Sequence, residues 1–67
     1  METEQWGRKI RAFRKLKGYT QVQLARELGI SLSLLGEIER ESRKPTAEFI
    51  VQVCGQLGIS VDEMKRL

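Results

Sequence analysis

The sequence predicts an all-α domain of five short helices, and three observations predict it. Apolar residues recur at three- and four-residue spacing along successive stretches, the period of one helix face. Hydroxyl residues stand where helix caps belong, at Thr20, Ser31, Thr46 and Ser60, and glycines stand where helices stop, at Gly18, Gly29 and Gly58. The composition, 40% hydrophobic and 31% charged with a single proline, belongs with globular helical domains rather than disordered chains.

Residues 4–17 make the first helix, started by Thr3 or by the adjacent acids, which suit a helix N-terminus. Trp6, Ile10 and Phe13 form its apolar stripe, with Leu16 beside it. Arg8, Lys9, Arg11, Lys15 and Lys17 are left outside, either as a solvated face or as contacts for phosphate. Gly18 ends the helix, and Tyr19 packs before the next one begins.

Residues 20–40 are the centre of the chain. Thr20 can cap through its hydroxyl while Gln23 returns a bond to the Thr20 amide, so a helix starts at about Gln21. Leu24, Ala25 and Leu28 share one face of it. Gly29 supplies the left-handed backbone that ends a helix at little steric cost. Ile30 then plugs the core, and Ser31 caps a further helix whose inward stripe is Leu35 and Ile38. The unit reads as helix, tight turn, helix.

Glu41 to Pro45 form a polar loop in which Pro45 biases Lys44 away from helix, and Thr46 caps a helix over 47–57. Phe49, Ile50, Val53, Cys54 and Leu57 lie on one face of that helix. Gly55 inside it costs stability relative to alanine, with no reason visible in the sequence. Ser60 and Glu63 form a second capping box, starting a short last helix with Val61, Met64 and Leu67 inward.

At 67 residues the chain is one domain, 1–67, which buries only about 60% of its unfolded surface on folding. Its lone cysteine, Cys54, excludes an internal disulfide and is read as a small buried hydrophobe. With no histidine and no second cysteine, neither a zinc site nor a Cys-His nucleophile can be assembled within one chain. No metal or other cofactor is expected, and catalysis is not expected. No apolar run approaches a membrane span, and METEQWGRK lacks a signal-peptide core, so a cytoplasmic protein is expected. The net charge of +3 and isoelectric point near 9.4 suit a polyanionic partner. Six of the twelve lysines and arginines lie between Arg8 and Lys17, whereas residues 20–40 carry Arg26 and Arg40 against Glu27, Glu37 and Glu39.

On these residues the chain resembles the phage-repressor-like helix-turn-helix proteins, the Cro/CI or XRE family. The matching pattern is Thr20-Gln21, Leu24-Ala25, Gly29-Ile30-Ser31, Leu35 and Ile38-Glu39. Arg14, Gly18, Pro45 and the closing run from Leu57 to Met64 support it, so the match covers nearly the whole chain. The resemblance implies a compact five-helix, phage-repressor-like DNA-binding domain. Its implied function is a repressor-like transcriptional regulator that binds double-stranded DNA sequence-specifically, with the third helix in the major groove, as a homodimer and with no small-molecule effector evident.

Carried over residue by residue, the resemblance places Leu32, Ser33 and Glu37 toward the bases. It places Gln21, Arg40, Arg43 and Lys44 at the DNA backbone, and pairs Arg14 with Glu39 as a structural ion pair. Leu32 suits a thymine methyl, Ser33 almost any base edge, and Glu37 a cytosine amino group; the strongest readers, Arg, Asn and Gln, do not stand at these positions. Glu41 stands where the family commonly has glycine, which bears on how closely its loop approaches a duplex. Substituting Ser33 or Glu37 should change the preferred sequence, whereas Arg43→Ala or Lys44→Ala should weaken all sequences alike. The alternative is a protein-interaction module on the same fold, with Leu32, Leu34, Met64 and Leu67 at the contact.

Overall fold

The computed structural model describes residues 5–67. Among them the chain forms α1 (Trp6–Leu16), α2 (Gln21–Leu28), α3 (Leu32–Glu39), α4 (Ala47–Leu57) and α5 (Val61–Lys65). No described helix is long and apolar enough to cross a membrane. The α3 helix packs on α1 and α2, while α4 packs on α1, α2 and α5. The five largest fully buried side chains come one from each helix: Ile10, Leu24, Leu35, Val53 and Met64. Each contributes roughly 1.5–3 kcal/mol by leaving water, so every helix is tied to one shared core.

The local signals set the boundaries. In α2 the Gln23 N–H donates to Thr20 Oγ1 at 3.0 Å and the Thr20 N–H to Gln23 Oε1 at 2.9 Å. Gly29 ends the helix at φ 72°, and the Ile30 N–H returns to the Ala25 carbonyl at 3.0 Å. Ser31 Oγ then accepts from the Leu34 N–H at 3.0 Å, which fixes the entry into α3 after a turn of only three residues. Thr46 caps α4 in the same way, and Ser60 with Glu63 forms the capping box of α5.

The first helix differs from expectation at both ends. It begins at Trp6, and the side chain of its N-cap Gln5 accepts from no backbone N–H of the first turn. The expected start at Thr3 or the neighbouring acids lies outside the described residues. The Arg8 N–H of the first turn instead donates to Glu41 Oε2 at 2.9 Å, a cap supplied from 33 residues away. At the other end Leu16 is 75% exposed and does not join the apolar stripe. The inward position of that turn belongs to Arg14, and Leu16, two residues on, lies about 200° round the helix from it. Gly7, by contrast, is buried where α1 crosses the Ile38–Glu39 backbone of α3.

At the C-terminus Met64 is 0% exposed and Cys54 Sγ lies 3.8 Å from its sulfur. Leu67, expected inward, is 61% exposed because α5 stops at Lys65 and the chain turns away before reaching it. Burial pushes the Cys54 thiol above its usual value, which keeps it protonated and unreactive. Gly55 faces open space: a Cβ built there would meet nothing within 4 Å. Nothing in the structure explains this glycine. Gly55→Ala is therefore expected to raise stability by about 1 kcal/mol, read as a higher urea midpoint with an unchanged slope.

Candidate nucleic-acid interface

The turn unit is held against α1 by one buried ion pair. Arg14 Nε donates to Glu39 Oε2 at 2.7 Å and Nη2 to Oε1 at 3.2 Å, with only 8% and 1% of the two side chains exposed. Arg14 Nη1 also donates to the Tyr19 carbonyl at 2.9 Å, and Gln21 Nε2 donates to Glu39 Oε1 at 2.9 Å. Both carboxylate oxygens are thus used, and one residue from each of α1, α2 and α3 is locked to a common centre. Gln21, expected at a DNA backbone, is therefore held by Glu39 at the first position of α2.

On α3 the buried residues are Leu35, Gly36, Ile38 and Glu39. Ser33, Glu37 and Arg40 follow at i, i+4 and i+7, which places them in one row on the other side. Leu32, in the first turn, is 48% exposed beside this row. Leu34 is half-buried against the core, and Met64 is sealed inside it. Of the four residues of the protein-contact alternative, only Leu32 and Leu67 are exposed. Burial of Met64 between α4 and α1 removes it from any contact surface.

Two expected site residues are bonded to each other. Arg43 Nε donates to Glu37 Oε1 at 2.8 Å, on a half-exposed surface. The loop that carries Arg43 is closed by the Ser42 N–H and Oγ, which both donate to the Glu37 carbonyl at 3.0 Å. Glu41 adopts φ 66°, the left-handed backbone that glycine normally supplies. The substitution thus keeps the turn's shape, at a cost of about 1–2 kcal/mol, and adds a carboxylate that caps α1. Lys44 is exposed next to Pro45.

The sequence leaves the basic face of α1 open between solvated surface and phosphate contact, and the structure brings part of that face into a concavity between α1 and α3. A cleft of about 510 Å³ is lined by Arg8, Arg11, Ala12, Lys15, Gln21, Glu39 and Arg40. The sequence carries a signal for it, since Arg8, Arg11 and Lys15 fall at i, i+3 and i+7 with the small Ala12 between them. Gly36 belongs to the same feature. Its missing side chain leaves room for the Arg40 guanidinium, whose Nη1 would lie 2.9 Å from a Cβ at that position.

Comparison with known proteins bears on the family and the fold. The helix-turn-helix family profile matches residues 10–64. An uncharacterised HTH-type transcriptional regulator of Bacillus subtilis, YazB, is 61% identical over 64 residues, covering 96% of this chain and 93% of its own. The immunity repressor protein of Bacillus phage phi105 is 44% identical over 55 residues, 82% of this chain but 38% of the repressor, so the chain spans well under half of that relative. Among solved structures, the biofilm master regulator SinR in complex with DNA superposes with a TM-score of 0.80 at 35% identity, over 88% of this chain and 95% of that one.

Proposed function

We infer the function of this chain from the family to which it belongs, the helix-turn-helix transcriptional regulators. It is a repressor-like regulator that binds double-stranded DNA. In the arrangement we propose, α3 enters the major groove with Ser33, Glu37 and Leu32 toward base edges, and Gln21, Arg40, Arg43 and Lys44 meet the backbone. The chain acts as a homodimer on paired half-sites about one helical turn apart, in the cytoplasm. The observation that carries this reading is the outward row of α3, presented on a turn unit that Arg14, Glu39 and Gln21 lock to the rest of the domain. The named relatives are transcriptional regulators or repressors, not enzymes.

Selection of bound duplexes from a randomised library at moderate salt tests it. Enrichment of an inverted repeat is the expected result, with the repeat spacing giving the dimer geometry. A folded protein that enriches nothing would turn the interpretation toward protein contact through Leu32.

The Glu37–Arg43 pair sharpens one substitution. Arg43 holds the carboxylate that faces the bases, so Arg43→Ala should alter which sequence is preferred as well as weaken binding. Glu37→Ala should shift preference by about tenfold, and the double variant should lose less than the two singles combined. Lys44→Ala, which breaks no described bond, should weaken every duplex alike and reduce the salt slope by about 1. Additive effects of Glu37→Ala and Arg43→Ala would separate the two roles again.

A further inference from the structure

We propose that the cleft between α1 and α3 holds backbone phosphates of the duplex that α3 reads, beyond the base pairs that α3 itself reaches. The proposal rests on the DNA-binding reading above and adds α1 to the footprint.

Four cations, Arg8, Arg11, Lys15 and Arg40, converge on this one concavity. Among the described residues no acid bonds to any of their side chains, and Arg8 Nη1 is held only by the neutral Gln5 Oε1, at 2.8 Å. The single carboxylate in the lining, Glu39, is consumed by Arg14 and Gln21. Like charges at helical spacing repel by a few tenths of a kcal/mol per pair, so the protein bears a small folding cost that an external anion would relieve. Three of the four are arginines, whose planar fork matches phosphate oxygens two at a time.

Placement selects a nucleic-acid strand over a free ion. The cleft is an open trough with room for more than one phosphodiester, and it is continuous with the reading face at two points. Arg40 ends the outward row of α3 and lies over Gly36, and Gln21 opens α2 at the other wall. A strand leaving the groove past the C-terminal end of α3 meets α1 next. None of these groups reaches a base edge, so the contribution is independent of sequence.

The test measures duplex affinity across a sodium chloride series for wild type and for the combined Arg8→Gln, Arg11→Gln, Lys15→Gln variant. Each is measured on the selected duplex and on a scrambled one. Three lost phosphate contacts should flatten the log–log salt slope by about 2.7, so that a fourfold rise in salt costs wild type roughly fortyfold more affinity than the variant. The ratio of affinities for the two duplexes should not change. Trimming the duplex to the bases that α3 reaches should reproduce the loss in wild type and have no effect on the variant. An unchanged slope while wild type still prefers its duplex overturns the cleft proposal and leaves the DNA-binding reading standing. Failure of wild type to bind any duplex overturns both. Should the combined variant melt below wild type, Arg11→Gln alone decides: its side chain makes no described bond, and a slope reduced by about 1 supports the proposal while an unchanged slope ends it.

Discussion

Arg14→Ala or Glu39→Ala is expected to destabilise the domain by about 3–5 kcal/mol, enough to leave a chain of this size largely unfolded near body temperature. The expectation follows from what each change strands. Without Arg14, a carboxylate whose side chain is 1% exposed keeps a single donor, Gln21 Nε2. Without Glu39, the guanidinium keeps only the Tyr19 carbonyl, and the Gln21 amide loses its acceptor as well. The pair itself adds far less, because both ions were taken out of water to form it. Replacing both residues with methionine should therefore recover most of what either alanine variant loses. Urea denaturation of the four proteins makes the comparison. Single losses below about 1 kcal/mol would mean that water reaches the pair and that it behaves as a surface bridge. The consequence for binding is larger than for an ordinary core residue, since this centre fixes the angle between α1 and the turn unit.

The helix boundaries of this fold are legible in the sequence because caps are local: Thr20 with Gln23, Ser31, and Ser60 with Glu63 each bond within three residues of themselves. Features made by two distant segments are not legible in that way. Glu41 reads as a misplaced glycine until its carboxylate is seen on the Arg8 amide. Leu16 falls beside the apolar stripe by helix spacing, yet the inward position of its turn is taken by a charged residue whose partner lies 25 residues away. The candidate interface divides along the same line. Ser33, Glu37 and Arg40 can be placed by helix period alone. That Arg43 bonds Glu37, or that Arg40 joins the basic stripe of α1, depends on where the loop and the two helices end up. Gly36, a residue that costs a helix stability relative to alanine, leaves room for the arginine one turn later.

Gly7→Ala carries the other large expected effect, and Gly55→Ala is its control. A Cβ at residue 7 would collide with the Ile38 carbonyl oxygen and come within 3.2 Å of Glu39 Cα. Both are backbone atoms inside α3, so no side chain can rotate away and the two helices must part. Overpacking of this kind costs about 1–3 kcal/mol, and contact with rigid backbone belongs at the upper end. The propensity gain of alanine over glycine, at most about 1 kcal/mol, offsets only part of it. At residue 55 the same methyl meets nothing, so the gain stands alone. The two variants should thus move the urea midpoint in opposite directions. Parting α1 from α3 would also stretch the Arg14–Glu39 pair and widen the basic cleft, so Gly7→Ala should weaken duplex binding under conditions where it is still folded. A Gly7→Ala domain as stable as wild type would mean that α1 can retreat freely from α3, and the spacing of cations across the cleft could then no longer be treated as fixed.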